Sequence, residues 1–254
     1  MVALAAVVSL AVGALWWTIT LRHERVAAVE LIDGSENLHV RADGRADQLR
    51  SLPGPLQELV ADALRTGRLQ IPSDVVALKR KIPPKSALSV AQASPLRLLT
   101  PVGTCVADGH PQFRWTPQRD AAGYRVAVIA TATNATVSSG DLSARQLDWA
   151  PDPALPAGET YRWEVEAFRD GEVLARSPAG TDGEARFCVL SSAQLGDFEE
   201  LRRAAGNSRL AIGVAAASAG LLDEAAAEFY ALAVQNPRSE IVRRLLEQLD
   251  ANKR

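Results

Sequence analysis

From residue 113 to residue 189, apolar side chains fall on every second position in run after run. Phe113-Arg114-Trp115, Tyr124-Arg125-Val126-Ala127-Val128, Leu147-Asp148-Trp149, Tyr161-Arg162-Trp163-Glu164-Val165-Glu166-Ala167 and Arg186-Phe187-Cys188-Val189 all alternate in this way. A period of two lets a strand bury one face and wet the other, so these runs predict an all-β sandwich. Its expected core is Phe113, Trp115, Tyr124, Tyr161, Trp163 and Phe187, with large aromatic rings each burying on the order of 150–250 Å². Trp149, between Asp148 and Pro151, is the aromatic whose setting suits a strand end facing solvent.

Outside that stretch the period changes. Residues 26–32 and 37–41 flank Asp33-Gly34-Ser35-Glu36, a turn signal because Gly accepts positive φ without steric cost, and a short hairpin is expected. Leu56, Leu59, Val60, Ala63 and Leu64 recur at helical spacing after Pro55 and stop at Gly67, a C-cap residue. A second short helix is expected over residues 73–80 with Ser73 as N-cap. Residues 82–95, with Pro83-Pro84, read as a linker, and residues 194–248 are helical in period. Residues 2–21 carry no charge and include Trp16-Trp17. About 20 apolar residues cross a bilayer, and the missing basic start argues against a cleaved signal peptide, so a retained anchor is expected. The expected fold class is therefore multidomain: a transmembrane helix over 1–21, a small α+β unit over 22–81, a linker, an all-β sandwich over 96–190 and an α-helical segment over 191–254. Arg22 and Arg25 after the span pull the body inward by the positive-inside rule, whereas the ectodomain-like order of parts favours an extracytoplasmic body, which is the expectation here.

The sandwich stretch resembles the fibronectin type III family. Trp115, then Tyr124-x-Val126-x-Val128, then Leu155-Pro156-Ala157-Gly158-Glu159-Thr160-Tyr161-x-Trp163-x-Val165 match its pattern over roughly residues 96–190. The resemblance implies an Ig-like sandwich in which the Tyr161 hydroxyl bonds back to the preceding corner. Trp163 stands where that family more often has a smaller aliphatic. In the helical segment, Ile212-Gly213, Gly220-Leu221-Leu222-Asp223-Glu224-Ala225, Phe229 and Asn236-Pro237 are similar to one tetratricopeptide repeat. That resemblance implies two antiparallel helices brought close at Gly213 and Ala225, the second ended by Pro237, with a capping helix over 239–248. Arg209 and Ala216 replace the family's usual aromatics, so its concave groove is poorly supplied. Anchor, sandwich and repeat together resemble bacterial envelope proteins, some of which carry an anti-sigma module that has no counterpart here.

Composition adds exclusions. The 254 residues are 47% hydrophobic and 23% charged, which is globular, and a net charge of -2 supplies no basic field for nucleic acid. Lys79-Arg80-Lys81 with Lys85 reads as a solvated helix end. Lys occurs only at 79, 81, 85 and 253 against abundant Arg and Ala, a composition of GC-rich bacterial coding. Cys105 and Cys188 lie on the expected first and last strands of the sandwich, where either a disulfide or two buried thiols would fit. Two Cys with His23, His39 and His110 make no metal cluster, and no nucleophile elbow, Walker loop, dinucleotide fingerprint or His-Glu-x-x-His is present. No cofactor and no small-molecule substrate are expected. The expected function is a non-enzymatic, membrane-anchored interaction or scaffold module with an unidentified protein partner; an envelope-signalling component and a glycan-binding protein are the alternatives.

Overall fold

The computed structural model describes residues 29–41, 43–78, 96–179 and 183–253. In chain order these carry β1 (Val29–Asp33), β2 (Glu36–Val40), a 3-10 turn (Asp47–Leu49), α1 (Gly54–Thr66), α2 (Ser73–Ala77), β3 (Leu98–Thr100), β4 (Thr104–Val106), β5 (Phe113–Trp115), β6 (Gly123–Ala130), β7 (Thr136–Ser138), β8 (Leu142–Ser143), β9 (Asp148–Trp149), β10 (Thr160–Arg169), β11 (Glu172–Ser177), β12 (Ala185–Val189), α3 (Ser192–Ala205), α4 (Arg209–Ser218), α5 (Leu222–Gln235) and α6 (Glu240–Lys253).

Two expectations are corrected. The anchor over 1–21 and the linker over 82–95 lie outside the described residues, and among the described residues no helix is long and apolar enough to cross a membrane. The longest have 14 residues, which is ~21 Å of helix against a ~30 Å hydrocarbon layer. The transmembrane helix, the single-pass membrane localisation and the extracytoplasmic body that depended on it are not supported. The described residues form a mixed α/β fold in which neither a fibronectin type III nor a tetratricopeptide assignment is identifiable, because the helical hairpin completes its core with elements from the other end of the chain.

That shared core gathers Leu31, Leu38 and Val40 of the first hairpin, Leu56, Val60 and Leu64 of α1, and Leu210, Phe229, Leu245 and Leu249 of α4–α6. The hairpin forms because Gly34, at φ +66°, turns the chain between Asp33 and Glu36, which face each other in register. Helix α1 starts behind Pro53 and stops at Gly67 in the left-handed conformation, whose N–H donates to the Ala63 carbonyl. Ser73 begins α2 but gives no side-chain cap, since Pro72 takes the N-cap position.

Three polar contacts lock the two chain ends together. Asp33, 5% exposed, accepts hydrogen bonds from Ser208 Oγ at 2.6 Å, Arg209 N at 2.8 Å and Leu210 N at 3.4 Å. Its carboxylate thus satisfies backbone donors at the N-terminus of α4, where the helix dipole favours negative charge. Asn236 accepts from Ile32 N and donates to Ile32 O, both at 2.7 Å, and so stands in for a strand along the edge of β1. Gln248 on α6 grips the backbone of Leu69 in the same two-way manner, at 2.7 and 2.9 Å.

The second core lies between two sheets. The larger runs β4-β12-β10-β6-β7, with β11 on β10 and β8 on β6; the smaller is β3-β5-β9. β10 is central, and Tyr161, Trp163, Val165 and Ala167 all point inward from it toward Phe113 and Trp115 of β5. The sheets meet the helical body at one edge. There β4 pairs with β12 in parallel, Cys105 N donates to Gly220 O at 2.9 Å, and Thr104 Oγ1 accepts from Leu222 N at 2.8 Å, capping α5 from outside. Gly220 must be glycine, since its φ is +84° and a Cβ would lie 2.5 Å from Val75 Cγ2.

Close approach of α4 and α5 depends on Gly213, where an added Cβ would sit 2.9 Å from Phe229 Cζ. Gly213→Leu is expected to displace that ring and cost about 1–3 kcal/mol. Denaturation followed by helical circular dichroism should shift to lower denaturant, whereas the tryptophan fluorescence of a Trp16→Phe, Trp17→Phe background, which leaves Trp115, Trp149 and Trp163 of the sandwich, should shift less. Helicity that survives unchanged would contradict the packing.

Candidate interaction surfaces

The aromatics singled out by alternation are interior. Phe113, Trp115, Tyr124, Tyr161, Trp163 and Phe187 all lie in the sandwich core. Phe113 is their centre, meeting Trp163 at 4.8 Å and Phe187 at 5.4 Å edge-on, and Trp149 in a stack at 5.6 Å. Trp149 therefore leans on the core instead of facing solvent, because β9 pairs Trp149 with Phe113 across β5. The aromatic row that glycan binding would need is thus not offered to solvent by these residues. Trp163 Nε1 donates to Pro101 O at 2.7 Å, and Tyr161 Oη donates to Pro156 O at 2.9 Å, closing the turn that leads into β10.

Cys105 and Cys188 are register partners on β4 and β12 and are joined as a disulfide. Cys105 belongs to the helical core, not to the sandwich core, and lies beneath Gly220. Closing a loop of sequence separation 83 stabilises the fold by about 4 kcal/mol in the chain-entropy treatment. The bond thus pins the sheet edge where the helices dock.

Of the repeat signature, Gly213, Ala225 and Phe229 meet in the α4–α5 interface, Gly220 makes the turn between the two helices, and Pro237 follows the end of α5. Arg202–Glu224 and Arg209–Glu228, each at 3.1 Å, fasten α3 and α4 to α5. Burial raises the Glu224 pKa, the Arg202 guanidinium opposes this, and Glu228 adds to it. Among the described residues no group of His, Cys, Asp or Glu could hold a metal ion. A shallow cavity of about 190 Å³ on the outer sheet face is lined by Arg162, Glu164 and Glu184 beside Trp163 and Ile129, and Arg162 faces Glu184 at 4.0 Å.

Two apolar surfaces face solvent. On α5, Ala227, Tyr230 and Val234 fall at i, i+3 and i+7 on the outer side; Tyr230 is 51% and Val234 82% exposed. Tyr230 Oη reaches 3.5 Å from Asp250, so α6 flanks this stripe. On the sheet, Val173 and Leu174 of β11 are 50% and 44% exposed. The spacing at 227, 230 and 234 was the sequence signal for the first, overlooked because the same helix supplies the inward residues Ala225, Phe229 and Leu232. No family model matches the chain, and no curated protein matches it.

Burial, then the Glu159 carboxylate, pushes the Tyr161 phenol from 10.0 up to about 12. The unfolded chain ionises first, so the stability contributed by the protonated phenol is complete below pH 10 and falls away between 10 and about 12. The expected loss is up to roughly 2–3 kcal/mol. Tyr161→Phe should remove that share of the decline in urea midpoint across this window while costing about 1 kcal/mol at neutral pH through the lost Pro156 bond. A variant with the same alkaline decline as the wild type would contradict the assignment.

Proposed function

We propose that this protein is a non-enzymatic interaction or scaffold module that seats an amphipathic helix of a partner protein on the outer face of α5. The observation that carries the reading is the stripe of Ala227, Tyr230 and Val234, which is apolar along two turns while the inward side of the same helix is fully used in the core. Val234, at 82% exposed, is not part of the core, and apolar side chains spaced i, i+3, i+7 suit a helix laid alongside. α6 forms the second wall, with Leu246 half-buried and Asp250 beside Tyr230. An antiparallel helix pair with an open outer groove is the geometry into which a third helix packs.

Val234→Glu and Tyr230→Ala should leave the unfolding midpoint within about 0.5 kcal/mol of wild type, because both side chains point to solvent. Each should weaken partner binding by about tenfold or more. The measurement is quantitative crosslinking and capture from the native source, with Leu99→Glu, another exposed apolar position, as the control. A partner retained equally by all three variants would overturn the proposal.

A further inference from the structure

Strand β4 is an edge strand of three residues, paired with β12 on one side and resting against the α4–α5 turn on the other. Two of its residues make the junction with the helices. Leu221, at the N-cap position of α5, gives the helix no side-chain cap. Thr104 Oγ1 accepts from Leu222 N in its place, while Cys105 N donates to Gly220 O. The residue that carries the second bond is also one end of the disulfide. A change at the sulfur therefore reaches the helix through a single backbone position.

The two sulfurs stand in unlike surroundings. Cys105 is 5% exposed, and the gap between its Sγ, Gly220 and Val75 does not admit even a methyl group: a Cβ on Gly220 would lie 3.3 Å from the sulfur and 2.5 Å from Val75 Cγ2. Cys188 is only half-buried, so a thiolate from solvent meets its sulfur, and Cys105 is the leaving group. Once reduced, the sulfurs stand ~3.5–4 Å apart in place of ~2 Å. Cys105 has no space to retreat into, and β12 is held by β10 as well as by β4. The strand that yields is the edge strand, and Thr104 goes with it. We propose that the Cys105–Cys188 bond is a dithiol-reducible latch, whose opening uncaps α5 and releases the sandwich edge from the helical body.

The step is a two-electron exchange. One thiolate of the dithiol bonds to Cys188 Sγ as the S–S bond breaks, and Cys105 departs as a thiolate that takes up a proton. The second thiol of the same reductant attacks the mixed disulfide, frees Cys188 as a thiol and leaves as a cyclic disulfide. A disulfide oxidant runs the exchange backwards, because residues 105 and 188 are register partners when β4 is seated. The latch is separate from the outer stripe of α5 and does not depend on a partner binding there.

The test applies dithiothreitol to the full native chain and reads thiol alkylation and amide exchange. Reduction is expected without denaturant, with the alkylating label entering Cys188 about tenfold or more faster than Cys105. Exchange at the Cys105 and Leu222 amides should quicken by about a hundredfold or more, while amides of β6 and β10 quicken less than about threefold. Re-oxidation should restore the original rates. A bond that resists the dithiol until the chain is denatured, junction amides unchanged on reduction, or a quickening shared equally by β6 and β10 would each overturn the proposal.

Discussion

The carboxylate of Asp33 leaves the tip of the first hairpin and takes hydrogen bonds from Ser208, Arg209 and Leu210 at the start of α4, 175 to 177 positions along the chain. A buried carboxylate is costly unless its oxygens are satisfied, and a helix N-terminus has donors that need an acceptor, so each end of the chain answers the other's need. With the hairpin fixed there, Leu31, Leu38 and Val40 form the floor on which α1 and the C-terminal helices pack. Asn236 and Gln248 repeat the principle by gripping backbone at Ile32 and Leu69. An isolated pair of short helices is marginal in water, and so is an isolated hairpin; joined, they share one apolar interior.

The sandwich meets that body through few but specific contacts. Thr104 supplies an acceptor to Leu222, Gly220 supplies one to Cys105, and the Cys105–Cys188 bond holds the sheet edge beneath both. Because the polar groups of the junction satisfy one another, the sheet can end against helices without burying an unmet backbone group. The outward side of α5, with Tyr230 and Val234 exposed, takes no part in this junction.

What the sequence disclosed was whatever leaves a periodic trace. Strand β10 was legible because burial alternates along all of Tyr161-Arg162-Trp163-Glu164-Val165-Glu166-Ala167, and α1 because Leu56, Val60 and Leu64 keep one face and Gly67 ends it. Pairings between distant segments leave none. Asp33-Gly34 has the signature of a turn whether or not the Asp caps a helix elsewhere, and Cys105 on a strand says nothing about helices above it. The setting of Trp149 stayed open because Asp148 and Pro151 describe its neighbours in the chain and not Phe113, its register partner on β5. The outer stripe of α5 was masked by a helix apolar on more than one side, since Ala occurs on both its faces, buried at Ala225 and exposed at Ala227. The membrane assignment rested on residues 2–21 alone and finds no helix among the described residues to sustain it.

The central claim, that the two chain ends form one cooperative body closed by Asp33, is tested most directly by native-state hydrogen exchange on the wild type and Asp33→Ala. The account predicts that amides of β1–β2 and of α4–α5 open together with a common free energy, and that the substitution lowers both by about 2 kcal/mol. Hairpin amides that exchange independently of the helices, with α4–α5 protection unchanged by the substitution, would contradict it.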